Sequence, residues 1–194
     1  MNLSAVIFDL DGTVLDNEDE YGQAFRKVLE RLGVKLDSEF PHRRGIGVVQ
    51  NWRELIPKYK IKTDKTPEEL GRETQDAYLR LIPKVTLKKG VKKFIANLKD
   101  SNILVALATS NLWSTVDEVL TRLDIEEMFD FITTAEEVRF NKPDPDLFLL
   151  TAQKLEVEPE ECLVIEASEV GIEAAKRAGM KSIAITITHE ENKL

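Results

Sequence analysis

Two carboxylates one residue apart, Asp9 and Asp11, follow the apolar run Ala5-Val6-Ile7-Phe8 and precede Gly12 and Thr13. Acids this close repel each other and resist desolvation unless a cation or a proton lies between them. Their types suit phosphoryl transfer. One carboxylate can attack phosphorus to form an acyl phosphate, which water cleaves far more readily than an alkyl ester. The other can protonate the leaving oxygen and afterwards activate water. Mg²⁺ would neutralise charge and align the groups. A calcium loop is the competing reading, but an EF-hand places its glycine later, ends on a distal glutamate and does not follow a strand.

Three further sets of polar residues stand at the ends of apolar runs. Thr109-Ser110-Asn111 follow 103–108, Lys142 lies in a loop beyond 129–132, and Glu166 and Ser168 follow 163–165. A lysine, a hydroxyl and turn amides are the groups that can hold transferring phosphoryl oxygens. Pro143 and Pro145 flank the Lys142 loop and stiffen it, which would aim a long cation at a fixed point.

These residues need a scaffold that brings their run ends together. The short β-branched runs 5–8, 103–108, 129–132, 163–165 and 183–187 alternate with helical patterns. One helical face carries Val91, Phe94, Ile95 and Leu98, another Val116, Val119, Leu120 and Leu123, a third Leu147, Phe148, Thr151, Ala152 and Leu155. Residues 173–178 read as a helix closed by Gly179. Alternation of this kind predicts a parallel sheet with helices on both faces, and such sheets bind ligands beyond the carboxyl ends of their strands.

Residues 16–84 differ, with helical patterns and no convincing strand. Phe25, Val28, Leu29 and Leu32 share a face ended by Gly33. Thr66-Pro67-Glu68-Glu69 reads as an N-cap with a first-turn proline and a capping-box glutamate, followed by the face Leu70, Thr74, Ala77, Tyr78 and Leu81. The expected architecture is α/β: a three-layer, Rossmann-like parallel-sheet core of residues 1–15 and 85–194, with an all-helical cap domain of residues 16–84 inserted. Such a cap would open to admit substrate and close to exclude water.

Composition narrows the partners. The 194 residues carry a formal net charge of −8, which opposes binding to nucleic acid or to an anionic membrane. No apolar run has membrane-spanning length, and the N-terminus has neither the basic region nor the cleavage site of a signal peptide, so a cytoplasmic protein is expected. A single cysteine, Cys162, excludes an internal disulfide and a thiolate metal cluster, and two histidines, His42 and His189, make a histidine-rich zinc site a poor fit. Cys162 reads as a buried small residue and His42 as a loop residue. Gly45-Ile46-Gly47 reads as a cap turn able to touch substrate, and Trp52 and Tyr59 as cap core or rim.

The ordered set of motifs resembles the haloacid dehalogenase superfamily, in the helical-cap branch that includes phosphoglycolate-phosphatase-like and β-phosphoglucomutase-like enzymes. It is carried by Asp9-Leu10-Asp11-Gly12-Thr13, by Leu107-Ala108-Thr109-Ser110-Asn111, by the segment from Lys142 to Phe148, and by the segment from Glu166 to Ala175. The resemblance implies that Asp9 is nucleophile and metal ligand, and that Asp11 is general acid/base with its backbone carbonyl on the metal. Thr109 and Lys142 would bind the phosphoryl group, helped by amides near Ser110. Mg²⁺ would be the cofactor, with Glu166 as a further ligand.

In this family's fourth motif an aspartate ligand usually follows the glutamate; here Ala167 stands in its place. Three readings follow: a variant in which Glu166 takes the role, an impaired member, or a substitution made to block turnover. Members of this type also commonly continue beyond 187 with another strand and helix, whereas this sequence ends at Leu194, so a truncated or minimal core is expected. The expected function is a Mg²⁺-dependent phosphatase of a small phosphorylated metabolite. A β-phosphoglucomutase-like mutase is the alternative, against which Thr13 and Tyr21 (where a sugar mutase would have histidine) both lean. A binding or regulatory protein with little catalysis is the third.

Overall fold

The computed structural model describes residues 3–36 and 40–185. Five strands form one parallel sheet: β1 (Ala5–Phe8), β4 (Leu104–Ala108), β5 (Phe131–Thr133), β6 (Cys162–Glu166) and β7 (Lys181–Ala184). The order across the sheet is β5-β4-β1-β6-β7. The chain builds outward from β1 on one side, then returns to build outward on the other. The order therefore reverses at the carboxyl end of β1, the place where sheets of this kind leave a crevice.

Side chains alternate across the sheet, so each strand contributes to two cores. Val6, Phe8, Val105 and Leu107 face one side, with Ile95 of α4 (Val91–Asp100) and Val116, Val119 and Leu120 of α5 (Trp113–Leu123). Ala5, Ile7, Ala106 and Ala108 face the other, with Leu147 and Phe148 of α6 (Asp146–Leu155) and Ala174 and Ala175 of α7 (Glu169–Arg177). Burial on both faces explains why β1 reads as an unbroken apolar run. The alanines of the second core let α6 and α7 lie close to the strands.

Three helices interrupt this order after β1: α1 (Glu18–Arg31), α2 (Val48–Lys58) and α3 (Pro67–Leu79). They pack on one another around the fully buried Trp52, whose indole Nε1 donates to Thr74 Oγ1 at 2.8 Å. The capping box at α3 forms as its sequence dictates. Thr66 Oγ1 accepts from the Glu69 amide at 3.2 Å, and Glu69 Oε2 accepts from the Thr66 amide at 2.7 Å. Where this helical segment leaves and rejoins the core, two short strands pair antiparallel: β2 (Leu15–Asp16) and β3 (Thr86–Leu87).

Several boundaries depart from the sequence reading. The β2–β3 ribbon was not legible, because two-residue strands carry no periodicity. The strand expected at 129–132 begins at Phe131, and the one expected at 183–187 runs Lys181–Ala184, with 186 and 187 outside the described residues, as are His189 and Leu194. The last helix starts at Glu169, four residues before 173, because Ser168 caps it with Oγ accepting from the Gly171 amide at 3.1 Å. Phe94, expected on the buried face of α4, is 42% exposed and meets Phe8 edge-on. Among the described residues no helix is long and apolar enough to cross a membrane.

Candidate active site

Every strand-end group singled out in the sequence lies at the carboxyl edge of the sheet. Asp9 follows β1, and its amide donates to Ile165 O of β6 at 3.0 Å. Thr109 follows β4 and is fully buried; its amide donates to Thr133 O of β5 at 3.0 Å, and its hydroxyl accepts from the Asn111 amide at 3.2 Å. Lys142 enters from the loop ahead of α6, and Glu166 ends β6.

Lys142 links these strand ends. Its Nζ donates to Asp9 Oδ1 at 2.6 Å, to Glu166 Oε1 at 2.7 Å and to Ala108 O at 3.3 Å, and lies 5.1 Å from the centre of the Phe148 ring. Burial alone would lower its pKa, but Asp9 and Glu166 outweigh burial and raise it, so the amine stays charged. Glu166 is fully buried, and its other oxygen, Oε2, accepts from the Ser168 amide at 2.6 Å and from the Ser168 hydroxyl at 2.8 Å. Gly171 in the first turn of α7 makes room for this carboxylate: a Cβ there would sit 1.8 Å from Glu166 Oε1.

Asp9 is pushed up to about 8, by burial first and then by Glu166, with Lys142 offsetting only part of it and Asp11 adding to it. Asp11 is also raised by burial, against hydrogen bonds from Asn17 and Asn111. Burial is the largest cause of both shifts, and for Asp9 the charges of Glu166 and Asp11 add to it. Among the described residues, Asp9, Asp11 and Glu166 face one buried ammonium, that of Lys142, and hard carboxylate oxygens with two formal negative charges in excess suit a divalent cation such as Mg²⁺.

The ligands expected for the metal are Asp9, Asp11 through its backbone carbonyl, and Glu166, and the structure does not set their side chains together as a metal cluster. Among the described residues no group of three or more His, Cys, Asp or Glu side chains is placed to hold a metal ion. The reason is local: both oxygens of Glu166 are engaged, one by Lys142 and the other by Ser168. Both Asp11 carboxylate oxygens are likewise engaged, by Asn17 and Asn111, so Asp9 and the backbone carbonyl of Asp11 remain the groups that fit, with water and substrate oxygens completing the surroundings of Mg²⁺. Ser110 is also engaged: its hydroxyl donates to Gly45 O at 2.9 Å, which ties the strand-end loop to the segment ahead of α2.

A family model described as haloacid dehalogenase-like hydrolase matches residues 6–185. The chain belongs to the haloacid dehalogenase-like hydrolases. It is 36% identical over 187 residues to a phosphorylated carbohydrates phosphatase of Thermotoga maritima, covering 93% of this chain and 84% of that protein. It is 32% identical over 191 residues to a β-phosphoglucomutase of Bacillus subtilis, covering 94% and 83%. A crystal structure of β-phosphoglucomutase from Clostridium difficile superposes with a TM-score of 0.85 at 28% identity, over 95% of this chain and 85% of that one. The helices set between β2 and β3 in this hydrolase stand over the same edge of the sheet. A cleft of about 660 Å³ opens there, with Lys142 and Ser110 on its core wall and Gly47, Val48 and Gln75 on its helical wall.

Several residues near the site were not legible in the sequence. Asn17 sits between β2 and α1 and touches Asp11; an isolated asparagine before a helix reads simply as a cap. His42, read as a loop residue, buries its side chain with the ring stacked on Phe25 at 4.8 Å, and lies 3.9 Å from Glu18, which pairs with Arg44 at 2.8 Å. Burial and Arg44 together lower His42 to about 4, so it is neutral at pH 7. The Gly45-Ile46-Gly47 turn does meet the core. Gly47 has φ +76°, and a Cβ there would lie 2.8 Å from Ser110 O, so only glycine permits that approach.

Proposed function

We propose that this protein is a Mg²⁺-dependent phosphatase that hydrolyses a small phosphorylated metabolite through an aspartyl-phosphate on Asp9. The observation that carries the reading is the buried bridge Asp9–Lys142–Glu166 at the switch point of the sheet, with Asp11 one residue from the nucleophile. Lys142 holds Asp9 in one orientation and supplies positive charge where phosphoryl oxygens would gather. Asp11 protonates the leaving oxygen, then takes the proton of the water that releases phosphate. Thr109 and the turn amides around Ser110 contribute donors to the phosphoryl group. Asp9 and Asp11 would hold Mg²⁺, which supplies charge neutralisation and alignment when bound. Residues 16–84 act as a cap over residues 1–15 and 85–194, excluding water from the cleft.

Similarity to sugar phosphatases and to a phosphomutase supports a phosphorylated sugar or a similarly small metabolite as substrate. The mutase likeness favours a second reading, in which the phosphoryl group returns to sugar. Tyr21 argues against it: its hydroxyl is tied to Asn111 and its ring is stacked on Tyr78. Phosphate release measured over phosphoglycolate, sugar phosphates and nucleoside monophosphates in millimolar Mg²⁺ tests the proposal. Turnover of at least one ester is expected, abolished by Asp9→Asn. No release from any of them overturns the phosphatase reading, and conversion of β-glucose 1-phosphate to glucose 6-phosphate establishes the mutase.

A further inference from the structure

Asp11 is gripped from two directions by neutral groups that no part of the reading above uses. Asn17 Nδ2 donates to Asp11 Oδ1 at 2.6 Å, and Asn111 Nδ2 donates to Asp11 Oδ2 at 2.6 Å. Each asparagine is held in turn by a tyrosine. Asn17 Nδ2 also donates to Tyr78 Oη at 2.7 Å, and Tyr21 Oη donates to Asn111 Oδ1 at 3.1 Å. The two tyrosine rings stack on each other with centroids 3.9 Å apart and planes within 12°. The result is a closed ring of contacts from one carboxylate oxygen, through two amides and two phenols, back to the other.

We infer that Asn17 and Asn111 are positioning residues for Asp11, and that Tyr78 and Tyr21 lock them in place; the inference rests on the phosphatase reading above. The amide orientations follow from chemistry. The Gly12 amide can only donate, and it donates to Asn17 Oδ1 at 3.1 Å, so the Asn17 nitrogen must face Asp11. Asn111 is pinned through its backbone: its amide donates to Thr109 Oγ1 at 3.2 Å, and its carbonyl accepts from the Ala135 amide at 3.0 Å. With both oxygens hydrogen-bonded, the Asp11 carboxyl cannot rotate about its last torsion without breaking two charge-assisted bonds.

The grip crosses the molecule. Asn111 belongs to the loop after β4, whereas Tyr21 lies on α1, Tyr78 on α3, and Asn17 at the point where the chain enters α1. The aim of Asp11 is therefore set by how the three helices sit on the sheet. A carboxyl that must reach a leaving oxygen loses about 100-fold in rate for a misplacement of about 1 Å. The deficit should fall on esters that need the proton and spare those whose leaving group departs unprotonated.

The test compares kcat/KM for 4-nitrophenyl phosphate, whose phenolate leaves without help, with that for the best alkyl phosphate. Each is measured in millimolar Mg²⁺ on wild type, Asn17→Ala, Asn111→Ala, Tyr78→Phe and Tyr21→Phe. The asparagine variants are expected to lose roughly tenfold more on the alkyl ester than on the aryl ester, and the phenylalanine variants about threefold more, with alkyl-ester KM within about twofold of wild type. The phenylalanine variants keep the ring stack, so they carry the test if an alanine variant fails to fold. Equal losses on both esters, or no loss, overturn the inference and leave the phosphatase reading standing. Wild-type protein that hydrolyses neither ester overturns both.

Discussion

Asp9 and Asp11 are one residue apart, yet the protein holds them by opposite means. Asp9 lies against a fully buried charge bridge built entirely from the ends of core strands and the loop ahead of α6. Asp11 lies in a ring of amides and phenols contributed jointly by the core and the helices above it. A nucleophile needs one fixed orientation and a nearby positive charge, and a buried ammonium supplies both at the expense of desolvation. For a group proposed to give and take a proton, neutral donors supply direction, and their hydrogen bonds offset part of the rise that burial imposes on its pKa.

The charged side should break hardest. Lys142→Met removes the ammonium that bridges Asp9 and Glu166 and leaves two carboxylates facing each other in a buried site. Removing one partner of such a cluster typically costs roughly 3–5 kcal/mol of stability. Phosphate release should fall by more than about a thousandfold, since both the orientation of Asp9 and the phosphoryl-binding charge go together. Urea unfolding and turnover check the two effects separately. A variant as stable as wild type would break the picture of a bridge that compensates buried charge.

Gly171→Ala probes the same bridge from behind. Gly171 packs directly against Glu166, so an added methyl must displace a carboxylate held at both oxygens. A cost of about 2 kcal/mol is expected, in the range of overpacked sites. Lys142 would then follow Glu166 and Asp9 would lose its fixed aim, so turnover should fall while Asp11 and its amides are untouched. Unchanged turnover would show that Glu166 matters to stability alone.

The two sides also differ in how readily the sequence showed them. Asp9, Thr109, Lys142 and Glu166 were legible because each follows a buried apolar run, and the parallel sheet collects such ends at one edge by topology. Ser110 was legible as a strand-end hydroxyl, but not its bond to Gly45, which depends on how the turn ahead of α2 meets the core. Asn17, Tyr21 and Tyr78 joined no readable pattern around Asp11. Their meeting depends on the seating of α1 and α3, and helical periodicity tells which face is buried without telling against what. The engagement of both Glu166 oxygens was hidden for a similar reason, because it needs the cap residue Ser168 and the small Gly171 brought back by one helical turn.

Ala167→Asp tests whether the charged side is complete. Ala167 stands half-buried between Glu166 and Ser168, where the resemblance places an aspartate ligand. A further carboxylate at this edge should lower the Mg²⁺ concentration needed for half-maximal turnover by about tenfold, since ligand charge raises cation affinity. Titration of activity with Mg²⁺ measures it. An unchanged requirement would mean that Asp9, Asp11 and water already complete the metal's surroundings.

The smallest effect belongs to Glu18, a buried carboxyl on the helical side. Burial pushes its carboxyl up to about 7, with Arg44 offsetting part and Asp11 adding to it. A carboxyl raised on folding contributes stability that is full below its ordinary value of 4.5 and is lost as pH rises through 7. Its neighbour His42 runs the other way: lowered from 6.5 to about 4, it contributes stability that is present above 6.5 and is lost as pH falls through 4. Glu18→Gln should therefore be about 1 kcal/mol more stable than wild type near pH 8 and should lose that advantage near pH 4.5, while the His42 limb is retained. Arg44 is one-third exposed and can return its guanidinium to water once the pair is broken. Urea unfolding across this range reads the difference. A variant less stable than wild type near pH 8 would mean that the Glu18–Arg44 pair outweighs the burial of Glu18, and that the helical side, like the core side, is held by charge.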